Sequence, residues 1–124
     1  DVRQVLRSFQ RFAEGTILVA HNAAFDMRFL QLQGEGAGIR FENPVLDTML
    51  LSAVVHSALD EHNIEAIAGR LGITIKGRHT ALGVAIATAE IVLKLMPLLT
   101  AAGIDTLKQA REASQKTFYA RVKY

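Results

Sequence analysis

Cysteine and tryptophan are absent from the 124 residues, and proline occurs only twice. Without cysteine there are no disulfides and no thiolate metal sites, as expected of a chain in a reducing, cytoplasmic setting. No apolar run reaches the roughly 18–20 uninterrupted residues of a membrane span, because Lys94 and Pro97 break the longest one. A membrane partner is therefore not expected. The chain opens on Asp1 and a charged amphipathic stretch, without the basic end and short apolar core of a secretory leader. Net charge is also low: +2 is too little to argue for nucleic acid on its own. The basic surplus lies at one end, where Lys108, Arg111, Lys116, Arg121 and Lys123 face two acids in the stretch Asp105–Tyr124. Such a stretch reads first as a solvated helix face and second as a footprint for phosphate.

What is present is apolar bulk. Half the residues are hydrophobic, enough for one domain with a real core. Val2, Val5, Leu6, Phe9, Phe12 and Ala13 recur at helical spacing, with Arg3, Arg7 and Arg11 on another face and Gly15 as the stop. Thr16 to Ala20 is aliphatic and β-branched, the pattern of a central strand buried on both faces. Phe25, Phe29 and Leu32 mark a second helix, expected to dissolve in the glycine cluster Gly34 to Gly38. Phe41 to Leu46 holds one short extended segment, which Pro44 confines to an edge or a strand start. Asp47 is placed to cap a helix from Thr48 to about Val55. A brief helix follows from Ile64 to Leu71, stopped by Gly72. From Thr80 to about Ala102 the apolar residues run almost all round, so a helix buried on more than one side is expected, with a kink at Pro97. Asp105 should cap a last helix whose inward stripe is Leu107, Ala110, Ser114 and Phe118.

The tally is five or six helices against two strands. A central strand needs ladder partners on both edges, or its backbone groups stay unpaired at a cost of about 1–3 kcal/mol each. The expectation is an incomplete sheet, with strands missing before Asp1 or supplied by another chain. An exposed edge of the Thr16-to-Ala20 strand would also allow a homo-oligomer.

Chemistry centres on three positions. Asp26 lies in the first turn of the helix after the first strand, where open α/β sheets place reacting groups. His79 stands at the mouth of the long apolar helix, and position 84 lies in that helix's first turns, so the three can converge on one crevice. Carboxylates hold Mg²⁺ or Mn²⁺ through oxygen, and a histidine titrating near neutrality can take a proton from an attacking water. Each residue also has a plain reading: Asp26 alone suits the helix dipole, and His79 alone a cap or a surface. His21, His56 and His62 lack metal-ligand spacing and read as structural or solvent-facing.

Two stretches, His21-Asn22-Ala23-Ala24-Phe25-Asp26 and His79-Thr80-Ala81-Leu82-Gly83-Val84-Ala85, resemble the second and third motifs of the DEDDh exonuclease family, to which DNA polymerase III epsilon-type proofreaders and ribonuclease T belong. Pro44 to Thr48, His62 to Gly72 and Ala87 to Glu90 extend the resemblance. It implies an RNase H-like α/β fold, helix-rich and here lacking its first strands, with 1–124 as the C-terminal portion of a single exonuclease-like domain. It also implies 3′–5′ hydrolysis at nucleic-acid ends with two Mg²⁺ or Mn²⁺ ions, Asp26 as a metal carboxylate and His79 as general base. His21, Asn22 and Phe25 would lie against a single-stranded 3′ end, and polymerase subunits would be partners. Two departures stand out. No Asp-x-Glu triplet precedes Asp26, and Val84 occupies the place of the third-motif aspartate. Three of the family's four metal carboxylates are thus absent, and the chain as given is expected to be inactive. The alternative is a catalytically dead module that binds nucleic acid or a partner.

Overall fold

A computed structural model describes residues 1–117 and 119–120. The elements follow in the order α1 (Val2–Ala13), β1 (Leu18–Ala20), α2 (Ala23–Ala37), β2 (Val45–Asp47), α3 (Thr48–Val55), α4 (Ile64–Leu71), α5 (Ala81–Ala101) and α6 (Leu107–Gln115). Strands β1 and β2 pair in parallel, Leu18 opposite Val45 and Ala20 opposite Asp47. Two apolar clusters form the core. Leu6, Met27, Ile39, Phe41 and Val45 join α1 and α2 to the sheet, while Leu51, Ile67, Ile91, Leu95, Leu99 and Ala110 join α3, α4, α5 and α6. The result is a helix-rich α/β arrangement with a minimal sheet.

Local signals set most boundaries. Asp47 caps α3 by accepting from the Met49 N–H, and Asn63 caps α4 by accepting from Ala66. Gly72 ends α4 at φ 72°, a left-handed conformation that glycine adopts without steric cost. α6 begins one residue later than expected. Thr106, not Asp105, is its N-cap, because Thr106 and Gln109 form a reciprocal capping box. Ala110 and Ser114 do turn inward; Phe118 lies outside the described residues, as do Arg121 and Lys123 of the basic end.

Several expectations fail, most of them because an apolar pattern does not say whether anything covers it. The first strand is Leu18–Ala20, bonded to β2 on one edge and to no strand on the other among the described residues. It is not buried on both faces. Leu18 and Ala20 pack against the α1–α2 cluster, whereas Val19 is 38% exposed. In α1 only Leu6 and Ala13 are buried, leaving Val2, Val5 and Phe12 in solvent. α2 runs straight through Gly34 and Gly36 to a left-handed cap at Gly38. Its inward residues are Ala23, Met27 and Gly34, so Phe25, Phe29 and Leu32 point outward. Gly34 suits the interior because a Cβ there would run into the Ile39 carbonyl. Last, α5 buries one stripe, Ala87, Thr88, Ile91, Leu95 and Leu99, and exposes Leu82, Ile86, Leu93 and Met96.

α5 also continues unbroken past Lys94 and Pro97 to 21 residues, its most apolar 18-residue stretch has mean hydropathy 1.9, and by length and composition it could cross a membrane. Its buried stripe instead closes the core against α3 and α4.

Candidate active site

The carboxyl end of β1 opens into a cleft of about 720 Å³. Val19, Ala20 and His21 form its floor, Asp26 of α2 one side, Arg78 to Ala81 the rim, and the first three turns of α5, from Val84 to Leu93, the far wall. Asp26, His79 and Val84 therefore share one crevice, and His21 joins them. Asn22 and Phe25 do not line it. Phe25 is 74% exposed on the outer side of α2.

The turn that delivers Asp26 is built from a distance. Asn22 has φ 61°, making it the one non-glycine residue with positive φ among the described residues, and its side chain makes no cap bond. The cap for α2 comes from Asp47, 3% exposed at the end of β2. Asp47 Oδ1 accepts from the Asn22 N–H and Oδ2 from the Ala23 N–H, each at 2.9 Å, while Oδ1 also accepts from Met49. One buried carboxylate thus caps two helix N-termini, where partial positive charge favours an anion. The neighbouring Thr48, fully buried, has its hydroxyl 2.9 Å from His21 Nδ1. Sequence reasoning found Asp47 as the cap of α3, but its reach across 24 and 25 residues to the other helix left no local signal.

On the opposite side, the loop carrying His79 is tied to α5. Thr80 accepts from the Gly83 N–H at 2.9 Å and donates to the Gly77 carbonyl at 2.7 Å. Gly77 itself sits at φ 67°. Gly83 lies under the loop, where a Cβ would meet the carbonyls of Lys76 and Gly77. Arg78, next to His79, reaches Glu65 of α4 at 3.5 Å across an exposed surface.

Electrostatics separate the titrating groups. Partial burial, then the like charge of Asp47, pushes the Asp26 carboxyl above its usual range. Burial holds His21 below the ordinary histidine value despite the opposing pull of Asp47, so the ring favours its neutral form. The other two histidines do not line the cleft. His62 is buried, its ring bonded to Ser52 Oγ and to the Leu59 carbonyl and touched edge-on by Tyr119, and it has a structural role. His56 is lowered by burial, then by Arg70 and His62.

Among the described residues no three Asp, Glu, His or Cys side chains come together to hold a metal. Asp26 is the cleft's single carboxylate, and Val84, 37% exposed in the wall, offers no oxygen. These residues do not fit a two-metal centre.

A carboxylate, two histidines and an arginine are thus grouped at the carboxyl end of a parallel strand. Residues 1–92 match the RNase T-type exonuclease family model, and the chain belongs to this DEDDh exonuclease family with its RNase H-like fold. It is 53% identical over 107 residues to a DNA polymerase III subunit epsilon-like protein of Rhodobacter capsulatus, covering 85% of this chain and 15% of that one. It is 35% identical over 108 residues to a PolC-type DNA polymerase III of Caldanaerobacter subterraneus, covering 87% and 8%. A third relative, the PolC-type DNA polymerase III of Thermotoga maritima, is 31% identical over 124 residues, covering 99% and 9%. The chain therefore spans at most 15% of the length of these curated relatives. No solved structure matches it.

Proposed function

We propose that residues 1–124 form one exonuclease-like unit whose cleft receives the 3′ end of a single-stranded nucleic acid, and that this chain by itself binds the end without hydrolysing it. The observation that carries this reading is the shared cleft, in which Asp26, His21, His79 and Arg78 converge while Val84 fills the position of a carboxylate. Arg78 offers a cationic donor to phosphate. His79, exposed and hydrogen-bonded to nothing among the described residues, is free to accept a proton from water within the cleft. In the complete family site Mg²⁺ or Mn²⁺ supplies Lewis-acid activation of the phosphodiester. The donors here do not assemble that centre, and the loss of even one preorganised electrostatic group costs about 10²–10³ in rate.

The Rhodobacter and PolC-type relatives bear DNA polymerase III names. On that ground we assign association with polymerase subunits and a bacterial cytoplasmic setting. A second reading, a module selected for binding alone, is favoured by Val84, which turns the metal side of the cleft into apolar wall.

Fluorescence anisotropy with a 5′-labelled oligo-dT strand tests the binding. Affinity should fall steeply with salt and weaken in Arg78→Ala and His79→Ala, while a 3′-labelled strand stays intact in Mn²⁺. Sustained nucleotide release by the native chain would overturn the inactive assignment, and salt-insensitive or absent binding would overturn the cleft's role. In Val84→Asp, Mn²⁺ affinity gained and seen by calorimetry favours a disabled exonuclease site over a cleft selected for binding alone.

A further inference from the structure

We propose that Asp47 and Thr48 are positioning residues, a two-residue clamp at the end of β2 that holds the β1–α2 turn so that His21 and Asp26 face the cleft. The inference rests on the cleft's nucleic-acid role proposed above and adds to it residues that touch no substrate.

Three observations converge. The turn contains the one non-glycine residue in a left-handed conformation among the described residues, Asn22, and a residue persists there only when its surroundings over-determine it. Its own side chain supplies no cap. What constrains it is Asp47, whose two oxygens take the N–H groups of Asn22 and Ala23 while Oδ1 is anchored by Met49. Because Asp26 lies in the first turn of the same helix, any rotation of that N-terminus moves its carboxylate with it. The second contact orients the ring. The Thr48 hydroxyl lies within hydrogen-bond distance of both His21 Nδ1, at 2.9 Å, and the Ala20 carbonyl, at 3.5 Å. The same ring is also hydrogen-bonded to the His62 backbone, so the Thr48 contact at Nδ1 fixes the ring's rotation about a second anchor. Both clamp residues are buried and neither lies among the residues lining the cleft. A carboxylate and a hydroxyl in an apolar interior are costly unless fully bonded, and here nearly all their bonds go to the segment that presents His21 and Asp26.

The test uses the native chain with Asp47→Asn, Thr48→Val and Thr48→Ser. Amide hydrogen exchange by NMR reads the turn, ¹⁵N shifts of the His21 ring read its Nδ1 hydrogen bond, and anisotropy with the oligo-dT strand reads the cleft. In Asp47→Asn, protection at Asn22 and Ala23 should drop about tenfold or more, the scale of one charge-assisted hydrogen bond, with Ile91 and Leu95 little changed. Thr48→Val should shift the ¹⁵Nδ1 signal of the His21 ring as its hydrogen bond is lost, and Thr48→Ser should restore it. Oligo-dT affinity should fall about fivefold in Asp47→Asn and Thr48→Val, as misplaced site groups lose contacts, and recover in Thr48→Ser. Unchanged protection at Asn22 and Ala23, or a uniform loss that includes Ile91 and Leu95, would overturn the clamp. So would a His21 Nδ1 signal indifferent to Thr48. Should the native chain not bind oligo-dT, the nucleic-acid reading fails, and exchange and ring shifts alone decide whether the clamp exists.

Discussion

The four glycines inside helices divide into two kinds, and one chemical change separates them. Replacing glycine by alanine within a helix favours folding by about 0.5–1 kcal/mol through chain entropy. At Gly69 of α4 a new Cβ meets nothing within 4 Å, so that gain should appear in full. At Gly83 of α5 it would lie 2.6 Å from the Lys76 carbonyl oxygen and nearer still to that of Gly77, both of them backbone. Relief requires the His79 loop to lift, which breaks the Thr80–Gly83 cap. Overpacking costs about 1–3 kcal/mol and a lost cap about 1 kcal/mol, against about 1 kcal/mol gained, leaving a net loss of about 1–3 kcal/mol. The two variants should therefore differ by about 2–4 kcal/mol, or about 10 °C in melting temperature for a domain of this size. Gly36→Ala should behave like Gly69→Ala, and Gly34→Ala, aimed at the Ile39 carbonyl, like Gly83→Ala. Thermal melts followed by circular dichroism measure this directly. A Gly83→Ala protein melting at or above the native temperature would show that the loop does not press on α5, and the proposed seat of His79 would be wrong.

Two further outcomes follow from burial and charge. His21 and His56 both titrate below the ordinary value of 6.5 in the folded chain, so between their folded values and 6.5 the unfolded chain binds more protons and stability rises with pH. That contribution is full above 6.5 and is lost as pH falls; the urea midpoint should decline from pH 8 to 5, and His21→Gln should flatten the decline, whereas an identical slope would contradict the burial of His21. On α5, Ile91→Ala removes a fully buried side chain and should cost about 2–5 kcal/mol. Leu93→Ala, two residues on and mostly exposed, should stay within about 0.5 kcal/mol; equal losses in urea melts would mean that something covers the outer face.

Much of the chain was legible from its local chemistry. α3 spans Thr48–Val55, as Asp47 and the apolar run foretold, and α4 ends at Gly72 because a left-handed cap favours glycine. Asp26, His79 and Val84 line one cleft because each lies near the start of a helix, and parallel strands gather such starts at one end. The glycine cluster misled, since glycines that look like a breaker in isolation are tolerated in α2 where packing against the Ile39 segment needs a bare backbone. Phe25 misled for the complementary reason: its spacing with Phe29 and Leu32 defines a stripe, but the small residues Ala23 and Gly34 let the opposite side of the helix approach the core.

The amino-acid order by itself determined most helix caps and stops, such as Asp47 before α3 and Gly72 after α4, because these act within four positions of one another. It also placed at position 84 a valine, which no fold can make a metal ligand. Only the tertiary structure decided which apolar stripes are covered, because periodicity describes one surface and burial requires two. It alone decided that Asp47 and Thr48 serve a turn some 25 residues away, because a hydrogen bond depends on where two atoms meet in space and not on their separation along the chain.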